Sequence, residues 1–166
     1  MRLGVKGTAL FALCLSALLG CGSSPGAGDP PCTAIGSPAA ISLDISPETA
    51  PAISAATPPP TGQLTACWGG ECRTAQLDLR AATSAGATTC VDENCSAQMT
   101  PTGGLAGFVE LPDLPKDTPV AVTLALGGAE HRVEVVPRAT FPNGPECGEG
   151  GPQARLTLNQ GGLSAG

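Results

Sequence analysis

Val120-Ala-Val-Thr-Leu-Ala-Leu126, then Gly127-Gly128, then Ala129-Glu-His-Arg-Val-Glu-Val135 is the stretch that decides the fold. Val120, Val122, Leu124 and Leu126 recur at every second position, the period of a strand with one buried face. The two glycines suit a two-residue hairpin turn, which needs positive φ at both central positions. With that turn, Val133 faces Val122, Val135 faces Val120 and His131 faces Leu124 on the apolar side. Thr123–Arg132 and Ala121–Glu134 fall on the polar side. The segment is a β-hairpin with one dry and one wet face.

Ala66-Cys67-Trp68-Gly69-Gly70-Glu71-Cys72 repeats the design. Around Gly69-Gly70, Trp68 and Glu71 form the first hydrogen-bonded pair. Cys67 and Cys72 follow at a non-hydrogen-bonded pair, where facing side chains come closest. A local disulfide is predicted there, with Thr65 opposite Thr74 on the same face and Leu64 opposite Ala75 on the other.

The N-terminus carries a different message. Arg2 and Lys6 precede an apolar run from Ala9 to Leu19, and Gly20 stands just before Cys21. A basic start, a short apolar region and a small residue at the cut describe a secretory signal. The run is too short for the ~20 residues that span a bilayer. Leu18-Leu19-Gly20-Cys21 resembles the lipobox of bacterial prolipoproteins. The resemblance implies that residues 1–20 are removed as a signal peptide and that Cys21 becomes a diacylated N-terminus. Each buried acyl methylene contributes ~0.8 kcal/mol, so two or more chains hold a protein firmly on a membrane. Residues 21–31 then read as the lipidated cysteine and a Gly/Ser/Pro tether with a reach of roughly 15–20 Å. The expected location is extracytoplasmic, anchored by lipid at Cys21.

Six further cysteines follow: Cys32, Cys67, Cys72, Cys90, Cys95 and Cys147. An even number in an exported chain reads as disulfides. Cys90-Val-Asp-Glu-Asn-Cys95 repeats the first spacing and is paired internally, leaving Cys32 and Cys147 to join the ends of the domain. Cross-pairing of the two C-x4-C units is the rival connectivity. The sharper alternative is a four-thiolate zinc site over C-x4-C-x17-C-x4-C. The usual short spacing is two residues, and exported thiols meet an oxidising compartment, which favours disulfides.

The chain has 166 residues, 14 acidic against 8 basic, with a net charge of −6, and the signal would take two of the basic residues with it. Such acidity repels phosphate backbones and excludes nucleic acid as a partner. With three Phe, one Trp and no Tyr, the core must be aliphatic. Seventeen Pro and 23 Gly favour turns between short strands over helices.

Ile41, Leu43 and Ile45 mark a first strand, Leu77 and Leu79 the apolar face of the second hairpin, and Phe108, Val109 and Leu111 a short strand before Pro112. Ala154, Leu156 and Leu158 supply a final one. Residues 47–60 read as an extended connection and 81–104 mostly as loop. The expectation is an all-β, disulfide-stapled, antiparallel immunoglobulin-like β-sandwich of about seven short strands over residues 32–160, with a disordered tail at 161–166.

Little in the chain carries chemistry. Gly22-Ser-Ser-Pro-Gly26 and Gly162-Leu-Ser-Ala-Gly166 match G-x-S-x-G without the strand–turn–helix that a nucleophile elbow needs. His131, the single histidine, is expected as a partly buried structural residue. Gly148-Glu-Gly-Gly151 is too acidic to cradle phosphate. Glu110, Asp113 and Asp117 offer at most a weak calcium site and read as solvated carboxylates. Trp68, beside a tight turn, is either an anchor for a partner or packing at the core edge, and its side of the hairpin favours packing. No catalytic residue, metal or cofactor is assigned.

Ala66-Cys-Trp-Gly-Gly-Glu-Cys-Arg-Thr74, Phe141-Pro-Asn-Gly-Pro-Glu-Cys-Gly148 and Gly151-Pro-Gln-Ala154 resemble segments of short uncharacterised lipoproteins of actinobacteria. That resemblance implies export and no known activity. The expected function is a membrane-anchored, non-catalytic binding or structural module of the cell envelope, with an envelope protein or glycan as partner. The alternative is an envelope enzyme or a metal-handling protein.

Overall fold

A computed structural model describes residues 32–56, 59–91 and 94–166. The signal segment 1–20, the lipid site Cys21 and the tether to residue 31 lie outside these described residues. Eight strands follow in order: β1 (Ala40–Ile45), β2 (Thr61–Trp68), β3 (Glu71–Val91), β4 (Asn94–Glu110), β5 (Val120–Leu126), β6 (Ala129–Val135), β7 (Gln153–Asn159) and β8 (Gly162–Ala165). One helix, α1 (Ala50–Ala56), and a 3-10 turn at Pro145–Cys147 complete the described elements.

Both Gly-Gly turns form as their spacing predicts. Gly69 and Gly70 take φ of 57° and 83°, and Gly127 and Gly128 take 60° and 81°, the left-handed pair that a type I′ turn requires. The ladders pair Val122 with Val133 and Leu124 with His131 in one hairpin, and Cys67 with Cys72 in the other. On the wet face the Thr65 and Thr74 hydroxyls share a hydrogen bond of 2.9 Å.

The strands form a single sheet in the order β6-β5-β2-β3-β4-β1-β7-β8. All neighbours are antiparallel except β1 and β7, which run parallel with Leu43 beside Leu156. The end strands β6 and β8 lie next to one another, so the sheet curls into a nearly closed barrel. Arg138, just past β6, laces the seam by exchanging backbone hydrogen bonds of 2.9 and 2.8 Å with Gln153.

The all-β class holds, but this single mixed sheet replaces the expected antiparallel sandwich. The physical reason lies in β3. Its first half pairs with β2 and its second half with β4, so one strand joins what would otherwise be two layers. Three further expectations are corrected. Residues 81–91 and 94–104, expected mostly as loop, are strand, since β3 and β4 continue through them as a long hairpin. The tail residues 162–165 form β8, with Leu163 opposite Leu158. The connection after β1 contains α1, whose start is set by Ser46-Pro47-Glu48-Thr49.

In that start, the amides of Thr49 and Ala50 both donate to the Ser46 carbonyl at 3.0 Å. Bonds from its own backbone amide and from the Ser46 side chain hold the Glu48 carboxyl below its ordinary range. Pro51 sits in the first turn, where a missing amide proton costs nothing. Buried Ile53 covers the end of the barrel at the β5–β6 turn, its Cδ1 2.9 Å from where a Cβ on Gly127 would lie.

The interior is aliphatic. Ile41, Leu43, Leu64, Leu77, Leu124 and Leu156 are fully buried, and no buried side chain among the described residues is polar. Side chains fill a small barrel of this kind completely. Gly107 of β4 makes room for them, because an added Cβ would stand 2.6 Å from Leu77 Cδ1 and 2.9 Å from Leu79 Cδ2.

Ion pairs decorate only the surface, where each contributes little. Lys116 reaches Glu149 at 2.6 Å and ties the segment after β4 to the one before β7. The Glu149 carboxylate, by hydrogen bond and by charge, raises the Lys116 pKa above its ordinary 10.5. A raised folded pKa gives stability that is present below the unfolded value and lost as pH rises through the folded one. Above pH 10.5 the wild-type melting temperature should therefore fall more steeply than that of Lys116→Met. Parallel alkaline profiles of the two proteins would show that the tether contributes nothing.

Candidate functional site

The sulfurs come first, because their state decides what chemistry is open to them. Cys67–Cys72 and Cys90–Cys95 are disulfides with Cα separations of 4.1 and 4.0 Å, close enough for a facing non-hydrogen-bonded pair. Cys32 and Cys147 are disulfide-bonded as well. The two C-x4-C units are thus each bridged internally rather than to one another. Sulfurs bonded in this way are not thiolates, so in this form the four do not offer a zinc site. Three disulfides belong to an oxidising, extracytoplasmic compartment. No helix among the described residues is long and apolar enough to cross a membrane.

Trp68 is half-buried and packs against the edge of the core. It also lines a cleft of about 190 Å³ with Arg73, Ala75, Glu110, Leu111 and Asp113. The fold therefore brings Trp68 together with two of the three carboxylates singled out from the sequence. The third, Asp117, is bound to Arg138 at 2.7 Å. Arg73 is held by Glu71 at 2.9 Å, while Glu110 and Asp113 have no ion pair among the described residues. His131 is half-buried opposite Leu124, and its imidazole makes no hydrogen bond among the described residues. Ser164 lies inside β8 and donates to the Thr157 carbonyl at 3.4 Å, so it is not on a nucleophile elbow.

The largest feature without a structural purpose is the outer part of the β3–β4 hairpin. Thr83 pairs with Pro101, Ala85 with Met99, Thr89 with Ser96 and Val91 with Asn94, so the two strands form a ribbon beyond the barrel. Every residue from 83 to 91 and from 94 to 103 is exposed. Val91 at 73% and Met99 at 55% are among the most exposed large apolar residues of the chain. At the root, an added Cβ on Gly104 would stand 2.5 Å from the Ile45 carbonyl oxygen, so glycine there lets β4 pass closely onto β1. Thr102 Oγ1 donates to the Ala82 carbonyl at 3.2 Å across the root.

A two-stranded hairpin alone is marginal in water. The Cys90–Cys95 bridge near its tip restricts the unfolded alternatives and offsets that weakness. Between them, residues 81–91 and 94–104 carry no Asp, Glu, Lys or Arg. A pattern search does not find such an arm, because alternation of apolar and polar residues records burial and the arm buries nothing. The repeated C-x4-C spacing was its one sequence signal. No family model, no curated protein and no solved structure matches this chain.

Proposed function

We propose that the chain is an exported lipoprotein of the cell envelope, held at the membrane through an acylated Cys21, and that its stapled barrel presents the β3–β4 arm as a non-catalytic binding module. The exposed arm, whose described strands 81–91 and 94–104 carry no charged side chain, carries the reading. Folding gains nothing from a ribbon with no buried side chain, and an open strand edge is a template for another strand. That chemistry favours a protein partner over a glycan. The lipobox-like start and the disulfides support the location.

The anchor is tested by Cys21→Ser. The variant should leave the membrane fraction and lose the acyl mass from its N-terminus, and a variant that stays membrane-bound would overturn the anchor. The arm is tested with a photo-crosslinking residue at Met99, compared on intact cells with one at Glu134 on the barrel surface. A discrete adduct from Met99 alone supports the module, whereas equal or absent labelling at both positions counts against it. Replacing Ala85–Met99 by Asn-Gly joins Ser84 to Thr100 through a short turn. That variant should keep its unfolding free energy to within about 1 kcal/mol, because no buried side chain is removed.

A further inference from the structure

We propose that the Trp68 cleft binds an alkylammonium group, its charged head on the Glu110 and Asp113 carboxylates and its methylene stem along Trp68, Ala75 and Leu111. The site is separate from the arm. β2 ends, β3 begins and β4 ends around the cleft, whereas the arm leaves from the other ends of β3 and β4. Toward the cleft the β3–β4 ladder stops at Leu79 and Gly107, so Arg73 and Ala75 pair only with β2 and Glu110 only with β1. The cleft lies in that fork. Its carboxylates stand on fixed backbone. Val109 and Leu111 are buried, and strand alternation turns Glu110 between them outward. The Leu114 amide then donates to the Leu111 carbonyl at 2.9 Å, closing a tight turn whose two leucines are both buried. Asp113 is carried at the exposed tip of this turn.

Charge and shape together select the occupant. Neither carboxylate has an ion pair among the described residues. The cation at the rim, Arg73, is neutralised by Glu71 at 2.9 Å and also donates to the Cys72 carbonyl at 3.4 Å. Two negative charges are left uncompensated, on a chain whose net charge is already −6, and such a field draws cations. An alkylammonium satisfies both halves of the site, because its head pairs with carboxylates while its stem covers apolar surface. Tryptophan is also the aromatic ring that attracts a cation most strongly. Calcium fits poorly. It takes about six to eight oxygen ligands, and among the described residues no group of three acidic, histidine or cysteine side chains could hold a metal. The volume of about 190 Å³ is below the ~300–1,000 Å³ of pockets for drug-sized ligands, so the occupant is one side chain or one small amine. A protein's lysine and a free amine share that chemistry.

Trp68 is the single tryptophan of the chain, so its fluorescence reports occupancy directly. In the full chain, held in a nonionic detergent at constant ionic strength, butylammonium should shift the emission with half-saturation at about 1 mM. Butanol and butyrate at the same concentrations should leave it unchanged. Glu110→Gln combined with Asp113→Asn should weaken the response about tenfold at an unchanged melting temperature, because both side chains are exposed. A tighter response to acetyl-lysine methylamide than to putrescine would give the site to a protein's lysine, and the reverse would give it to a free diamine. No shift with butylammonium, an equal shift with butanol, or an undiminished shift in the double variant would overturn the proposal. Displacement of butylammonium by equimolar calcium would overturn it as well. The Met99 crosslinking tests the arm independently of all these outcomes.

Discussion

Gly151→Ala should cost about 3 kcal/mol or more, the upper part of the range for overpacking a tight site. Gly151 has no unusual backbone angle, so the reason is space. An added Cβ would fall on the Ala39 amide nitrogen, 2.5 Å from the Pro38 carbonyl carbon and 2.9 Å from Ala39 Cα. All three are backbone atoms, with no flexible side-chain end to swing aside. The crossing is also bonded from every side. The Gly151 amide donates to the Ser37 carbonyl at 2.8 Å, and Thr140 Oγ1 donates to the Gly151 carbonyl at 3.0 Å. The Ser37 and Thr140 hydroxyls are bonded to one another. One residue further on, the Ala40 amide donates to the Pro152 carbonyl at 3.0 Å and opens the parallel β1–β7 ladder. Gly128→Ala is the informative control. Its φ is +81° but nothing stands within 4 Å of the added carbon, so only the ~1–2 kcal/mol of left-handed strain applies. Urea unfolding of both variants decides the matter. A Gly151→Ala protein no weaker than Gly128→Ala would show that the crossing can open.

Leu43→Ala should cost about 2–5 kcal/mol, the range for a buried leucine that leaves a cavity. Leu43 is fully buried in β1, between Gly107 of β4 on one side and Leu156 of β7 on the other. Gly107 has no side chain to fill the space. Leu77 and Leu79, which already lie over it, are held by their own strand. The core contains no large ring that could tilt into the gap. Phe108→Ala, one residue along the same β1–β4 ladder, should cost under about 1 kcal/mol, since Phe108 is 41% exposed. The measurement is the urea midpoint at unchanged slope. Equal losses at the two positions would mean that the barrel interior is not packed as described.

What the sequence revealed and what it hid divide along one physical line. Val120, Val122, Leu124 and Leu126 bury one face, and Gly127-Gly128 admits only one close turn, so the whole β5–β6 register could be read in advance. The β2–β3 register followed from Gly69-Gly70 in the same way, and Cys67 and Cys72 faced one another as that register required. The arm could not be read, because Ala, Ser, Thr and Gly at exposed positions leave no apolar rhythm. β8 was hidden for a related reason, since Leu163 is the one apolar anchor within a Gly/Ser-rich end. The parallel β1–β7 pair was out of reach altogether. Ile41, Leu43 and Ile45 announce a strand with a buried face but say nothing about which neighbour lies along its edge. Of the candidate site, Trp68 was visible as a residue. Its meeting with Glu110 and Asp113 depended on how the chain returns after β4.

The parallel pair also sets an order of events. β1 leaves the ribosome ahead of every other strand, yet its partner β7 begins at residue 153. The β2–β3, β3–β4 and β5–β6 hairpins close between sequence neighbours, which is fast, whereas the β1–β7 ladder waits for nearly the whole domain. Until then Ile41, Leu43 and Ile45 lie along an uncovered edge, the kind of surface that seeds aggregation. A chain ending before residue 153 would keep that edge uncovered permanently. Slow synthesis or loss of the last strands would harm this protein through insolubility.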